Sequence, residues 1–467
     1  MISLTLAELS GAVGGTLRLS ASAHDHDEIS GAVQTDSRLV TTGSIFIALP
    51  GEVSDGHLFA QSAIDNGAVL LLVDHALDLP VSQVVVADTL TALADLARLV
   101  VARVRARGKL KVIGITGSNG KTTTKNMLRA VLETAGTTIA PPGSFNNQVG
   151  APLSMLSIDS DTRFLVVEMG AAGVGEIART VGIAIPDISV VLTVGLAHAG
   201  EFGGIEQTQR AKAEIVTQLP TDAVAVLNID DERVAAMASL THARPVWFGL
   251  DAAADVRADD LRATASGTAF TLIEGDIHRP VLLKILGEHH VMNALATLAV
   301  ARELGLDLDA AITALESVPR AERWRMEVLT RSDGIVVIND AYNASPDSMA
   351  AALKTLAQII EPGQRSIAIL GEMTALGEFS TEEHDRIGRL VVRLNIQKLI
   401  VVGHGARHIH NAAGLEGSWD GESMLVATAD EAYDLLRDDL RVGDVVLVKS
   451  SNSANLRLLG DRLGEVT

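Results

Sequence analysis

The stretch VIGITGSNGKTTTKNML, residues 112–128, joins an apolar run to a helix-like sequence through a loop broken by Gly117 and Gly120. It resembles a phosphate cradle but departs from G-x-x-x-x-G-K-[ST], which needs a glycine six positions before the lysine. Ile115 stands there, and the nearby glycines are Gly114 and Gly117. The physics still favours a cradle. VIGIT predicts a buried strand whose end turns at Gly117-Ser118-Asn119-Gly120 and enters a helix at Lys121-Thr122. Glycines let backbone N–H groups wrap phosphate oxygens, and the helix N-terminus adds partial positive charge. Lys121 would then bridge the β- and γ-phosphates, with the Thr122 hydroxyl on Mg²⁺. The competing reading, a tight strand–helix turn with an incidental lysine, does not explain why strand, glycines, GKTT and helix fall in register.

On both sides of this loop the pattern is strand and helix. Before it come SIFIAL (44–49), AVLLLV (68–73) and QVVVA (83–87), then a helical stretch from Thr89 with a basic end, which predicts a boundary near 108. After it FLVVEM (164–169), DISVVLTVG (187–195) and AVAVLN (223–228) alternate with helical patterns, the signature of a mainly parallel sheet with helices on both faces. Residues 241–285 alternate with turns and predict an antiparallel flap within the second domain, followed by a helix in HHVMNALATLAVARELG. SVPRAERWRMEV (317–328) lacks periodicity and predicts a second boundary near 320. Beyond it GIVVIND, RSIAILGE, KLIVVG and DVVLVKS resume the alternation. Polar residues and glycines follow these strands, where open α/β sheets keep their ligands.

A length of 467 residues suits about three domains. A formal charge of −20 argues against a nucleic-acid or anionic-membrane surface, and 3% aromatic residues against a base-stacking platform. Any anionic ligand must be held by local basic groups, helix ends and metal ions. The absence of cysteine excludes disulfides and thiolate chemistry. No apolar run is long enough to span a membrane, and MISLTLAELSGAVGG has no basic n-region, so a cytoplasmic location is expected.

The form T-G-[ST]-N-G-K-T-[TS] resembles the loop of the Mur ligase family, which has the folylpolyglutamate synthetases as relatives, and the resemblance recurs from residue 36 to residue 450. It implies three α/β domains: a UDP-muramoyl substrate-binding domain (1–108), a central P-loop ATP-binding domain with a parallel sheet (109–320) and a C-terminal Rossmann-like domain (321–467). In detail it is similar to the branch that adds D-alanyl-D-alanine to UDP-N-acetylmuramoyl-tripeptide, driven by ATP through an acyl phosphate. The implied cofactors are ATP and two Mg²⁺ ions, and the expected state is a monomer binding neither nucleic acid nor membrane.

The resemblance carries over residue by residue. Gly117, Ser118, Asn119, Gly120, Lys121, Thr122 and Thr123 would hold the ATP phosphates. Glu168 in EMG, at a strand end, would share a Mg²⁺ with Thr122, whereas in isolation it would read as a solvated carboxylate. His198 and Lys212 would bind a second ion, the lysine as a carbamate because an ammonium repels a metal. GEHHVMNALATLA (287–299) matches G-x-H-N-x-x-N-A through His289 and Asn293, the latter toward adenine, while His290 replaces the usual Asn. Arg325 in RMEV would meet the γ-phosphate. Asp340, Tyr342 and Asn343 in INDAYNASPDSM would face the nucleotide, although Asp, Asn and Pro are also ordinary at a helix start. Ser37 and Arg38 would meet the uridine nucleotide, and Asn146 and Asn147 the muramoyl and pyrophosphate groups. Glu372 and His384 lie in a matching segment with no role assigned. In VKSSNSANL the family's K-G-S-R keeps Lys449, but Ser450 and Asn452 replace Gly and Arg. H-T-P-D and D-N-P-R, markers of a sister branch, are missing. The alternatives are a sister ligase adding another amino acid and a non-catalytic P-loop nucleotide binder; no N-K-x-D guanine reader is present.

Overall fold

A computed structural model describes residues 1–465 except 52–53, 142, 144, 197–202, 265–266, 319–322 and 417–418. His198 and the expected boundary at 320 lie outside the described residues. The chain builds three large sheets. The first, of five strands, runs in the order Thr16–Arg18, Ser82–Val85, Leu70–Val73, Ile45–Ile47, Val33–Gln34, and only Thr16–Arg18 is antiparallel to its neighbour. The helix Thr89–Arg105, capped by the Asp88 carboxylate, leads from it to the second sheet.

The nine-stranded second sheet holds the phosphate loop. Its first strand, Lys111–Thr116, lies between Phe164–Glu168 on one side and Ile188–Val191 on the other. The chain therefore adds strands first to one flank and then to the opposite one. This reversal opens a crevice at the end of Lys111–Thr116, where open α/β sheets bind ligands. Alternate residues of the buried strands feed two cores. Val112, Leu165 and Val167 pack into one, Ile113, Ile115, Phe164 and Val166 into the other. The first core runs without interruption into residues 1–104, through Leu93, Leu96 and Val100 of the Thr89–Arg105 helix. The sheet thus changes near residue 108, but the core does not.

Residues 241–285 meet the expectation of antiparallel strands in part. Arg244–Gly249 pairs in parallel with Val224–Asn228, and Val256–Thr264 in parallel with Arg244–Gly249. Gly267–Glu274 and Ile277–Leu283 then extend the same sheet antiparallel. The antiparallel segment expected within the second domain is therefore present over 256–283, built onto the edge of the main sheet, while Arg244–Gly249 belongs to its parallel part. Half-exposed strands at a sheet edge show the same period as a free hairpin.

The third sheet has six strands in the order Glu327–Thr330, Val336–Asn339, Asp444–Lys449, Arg365–Leu370, Lys398–Val402, Glu422–Val426, all parallel except the first. Two further apolar cores cover its faces. No described helix is long and apolar enough to cross a membrane. The helices Ser380–Arg393 and Arg407–Leu415 cross so closely at Gly388 that a Cβ there would collide with the Ile409 carbonyl oxygen. Gly388→Ala is expected to destabilise the third sheet's unit by about 1–3 kcal/mol through overpacking. Urea unfolding followed by hydrogen exchange in residues 323–465 would measure it, and unchanged protection there would contradict the packing argument.

Candidate active site

The loop after Lys111–Thr116 owes its shape to glycines. Gly120 has φ 85°, and a Cβ on it would also collide with the Asn293 amide oxygen, so only glycine satisfies both constraints. The loop is pinned from below: Ser118 N–H donates to the Thr193 carbonyl (2.8 Å), and Gly195 N–H donates to Ser118 Oγ (2.8 Å). The helix Lys121–Glu133 then begins with no side-chain cap, leaving its first N–H groups for a ligand.

A cleft of about 250 Å³ opens over this helix end, lined by Ser118 to Thr123 and Asn293 from the second sheet's unit and by Arg325, Asp340, Tyr342 and Asn343 from the third. Asn146, His289, His290 and Lys449 also line it. The structure thus gathers segments more than 200 positions apart in the chain, and Ser345 Oγ closes one side by donating to Asn119 Oδ1 (3.1 Å, 226 residues away). Asn147 is not on the wall; its side-chain oxygen accepts from Gly150 N–H (2.8 Å), at the start of the helix Gly150–Met155. Ser37 and Arg38 also lie outside the cleft, in the first sheet's unit, with Ser37 buried and the Arg38 guanidinium paired to Asp36 (2.6 Å). His384 is buried and engaged on both ring nitrogens: Nε2 accepts from Met373 N–H (3.0 Å), and Nδ1 faces the Ser380 carbonyl (2.6 Å). It therefore shapes the loop after Leu370. A second cleft, of about 320 Å³, lies at the opposite end of the central strands, where Arg105 and Lys111 are neutralised by Asp187.

Lys121, Arg325 and Lys449 bring positive charge to the first cleft, while Glu168 and Lys212 are not among its lining residues. Lys121 Nζ rests on the Gly117 carbonyl (2.7 Å); burial lowers its pKa, the Glu168 carboxylate opposes that shift, and the Arg325 charge adds to it. The Arg325 guanidinium lies 4.1 Å from the Tyr342 ring centroid, a cation–π geometry. Lys212, on the helix Ile205–Thr217, is buried, and desolvation followed by the Lys121 charge pushes its pKa well below the lysine range. Burial lowers His289 to about 4, with Asp340 opposing and Lys449 adding to the shift. His290 is also held neutral by burial, with the His289 and Arg325 charges next in weight. Asp340 is spoken for on both oxygens: Oδ1 accepts from Met326 N–H (3.0 Å) and Oδ2 from Lys449 Nζ (2.6 Å). Lys449 also donates to the Asn343 carbonyl (3.0 Å), so it keeps a structural task although the residues after it depart from the family pattern.

Glu168 is almost fully buried at the end of its strand, with Oε2 3.4 Å from Thr122 Oγ1. Its Oε1 is buried without a hydrogen bond, although Lys125 Nζ lies 3.3 Å away. Oε2 and the Thr122 hydroxyl offer oxygen donors of the kind Mg²⁺ accepts, whereas Oε1 faces the Lys125 ammonium, which would repel an ion there. Lys125 escaped the sequence reading. It is 1% exposed, and its Nζ also donates to the Gly143 carbonyl (2.5 Å), tying the phosphate helix to the segment before Asn146. The available signal was periodicity: with Thr122, Leu128 and Leu132 it lies on the buried stripe of that helix.

Residues 31–109 match the Mur ligase family catalytic domain, 115–301 the Mur ligase middle domain and 324–452 the Mur ligase glutamate ligase domain. The chain is 43% identical to the UDP-N-acetylmuramoyl-tripeptide–D-alanyl-D-alanine ligase of Mycobacterium bovis, over 99% of this chain and 98% of the relative. Among solved structures it is similar to MurF from Acinetobacter baumannii (TM-score 0.89, 30% identity, 99% of both chains). It is also similar to MurF ligase from Thermotoga maritima in complex with ADP (TM-score 0.82, 28% identity, 94% of this chain and 98% of that one).

Removing one partner of the Lys125–Glu168 pair leaves a buried charge alone. Lys125→Met is therefore expected to destabilise the protein by about 3–5 kcal/mol, and adding Glu168→Gln should recover much of the loss. Denaturant titration of the single and double variants measures this coupling; additive losses would show that the two groups do not interact.

Proposed function

The chain belongs to the Mur ligase family, and we propose that it joins D-alanyl-D-alanine to UDP-N-acetylmuramoyl-tripeptide in an ATP-driven amide-bond synthesis of peptidoglycan precursor assembly. The observation that carries this reading is the cleft itself, where a phosphate loop faces Arg325, Asp340 and Tyr342 from another sheet. The whole-length likeness to ligases of that name supports it.

The reaction has two steps. The tripeptide's free carboxylate attacks the γ-phosphorus of ATP, the bond to the β-phosphate oxygen breaks, and acyl phosphate and ADP form. The amine of D-alanyl-D-alanine then attacks the acyl carbon, loses a proton, and phosphate leaves. Backbone N–H groups of Gly117 to Thr123 hold the phosphates, Lys121 bridges the β- and γ-groups, and Arg325 neutralises the charge moving through the γ-phosphoryl. Asn293 meets the adenine, and Asp340, Tyr342 and Asn343 shape the nucleotide wall. Ser37 and Arg38 take the uridine nucleotide, and Asn146 and Asn147 the muramoyl and pyrophosphate end. Residues 1–108, 109–320 and 321–467 serve as the sugar-nucleotide, ATP and dipeptide units. Thr122 and Glu168 would hold one Mg²⁺, and His198 with a carbamylated Lys212 a second; such ions would screen phosphate charge. The burial that disfavours a charged Lys212 supplies the neutral amine that carbon dioxide needs, and a carbamate would turn its repulsion from Lys121 into attraction.

Phosphate release from ATP and Mg²⁺ in the presence of UDP-N-acetylmuramoyl-tripeptide is expected only when D-alanyl-D-alanine is added, with product heavier by one dipeptide less water. Release that required a single amino acid would assign the protein to a sister branch. Lys121→Ala should abolish product with the fold intact; near-normal turnover would sink the mechanism.

A further inference from the structure

Arg325 sits between two residues in left-handed backbone, Trp324 (φ 64°) and Met326 (φ 53°). Neither is glycine, and such conformations persist only where the surroundings fix them. The Met326 side is fixed by burial of its side chain in the third unit's core and by the hydrogen bond from its N–H to Asp340. The Trp324 side is fixed from elsewhere. Its carbonyl accepts from Tyr342 N–H (3.0 Å) and its N–H donates to Glu327 Oε2 (3.0 Å). Its indole Nε1–H points at both oxygens of Asp461 (3.1 and 3.0 Å), on the helix Leu456–Leu463.

Asp461 gathers more than the indole. It accepts from Arg323 Nη2 (2.7 Å) and from Asn339 Nδ2 (3.0 Å), so one partly buried carboxylate holds two consecutive residues of the linker and the end of a core strand. The guanidinium carbons of Arg323 and Arg457 flank the indole at 5.2 and 5.4 Å from its centroid. Asp461 does not line the cleft. We propose that Asp461, acting through the Trp324 indole, is a positioning residue that holds the strained linker and aims Arg325 into the cleft beside Tyr342. The inference rests on the reading of Arg325 as the γ-phosphate arginine. Without the carboxylate, Trp324 relaxes toward the extended region, and the peptide plane that orients Arg325 turns with it.

The test is a cycle of Asp461→Ala and Arg325→Ala with kcat, the KM for each substrate and thermal unfolding as readouts. Asp461→Ala should lower kcat roughly tenfold to a hundredfold, the scale of misplacing a catalytic group by about an ångström, with little change in the KM for the muramoyl substrate. The same substitution in an Arg325→Ala background should cost almost nothing further. Asp461→Asn, which keeps an acceptor for the indole, should retain most of the activity, and Trp324→Phe, which keeps an aromatic ring of smaller size but loses the N–H, should reproduce the Asp461→Ala loss. An equal loss in both backgrounds, or none in either, overturns the proposal. If Asp461→Ala unfolds, Trp324→Phe decides alone, and wild-type kcat in that variant counts against the lock. If Arg325→Ala itself keeps normal kcat, the reading of Arg325 has failed first, and the cycle distinguishes that case.

Discussion

The fold turns on a steric constraint at the end of one strand. After Thr116 the chain must reverse into a helix while its N–H groups face outward, and the Asn293 amide stands where a side chain at position 120 would go. That close approach requires the helix His289–Glu303 to pack against Lys121–Glu133 over the second core. It also requires strands to be added on both flanks of Lys111–Thr116, because only then does a crevice open above the loop. Most of the described site hangs from this geometry: Lys121 is carried by the same turn, and Glu168 ends the neighbouring strand.

The two walls of the cleft are joined differently from the two units behind them. Between the phosphate loop and the third sheet's unit the contacts are polar, such as Ser345 to Asn119. Between the first and second units they are apolar and continuous, with Arg98 and Arg105 adding hydrogen bonds to the Gly182 and Ile185 carbonyls. The third unit nevertheless also meets the second through apolar groups, since Leu286 and Ala263 pack into its core.

What was legible in the sequence follows from how local each feature is. The phosphate loop is a contiguous string with its own steric logic, and the strands around it announce themselves as apolar runs. Arg325, Asp340, Tyr342 and Asn343 were legible only through family resemblance, since their own composition fits an ordinary turn. The antiparallel pairing over 256–283 was legible, but the parallel attachment of Arg244–Gly249 was not, because alternation records burial of one face and not the neighbour's orientation. Lys125 was hidden by its charge: a lysine reads as solvent-facing until its place on a buried stripe is noticed. Asp461 left no local mark at all, for its partners Arg323, Trp324 and Asn339 lie more than a hundred positions upstream.

The shared core has a consequence for biosynthesis. The helix Thr89–Arg105 buries Leu93, Leu96 and Val100 in a core that includes Ala151, Met155, Ile177 and Val181. Those covering residues reach the ribosome exit long after the helix does. At ordinary elongation rates the delay is about 10 s, far longer than a helix needs to form. A nascent chain paused in that interval leaves that face of the helix without its later apolar cover. The first unit is thus born early but completed late, and its solubility during translation depends on a neighbour not yet made.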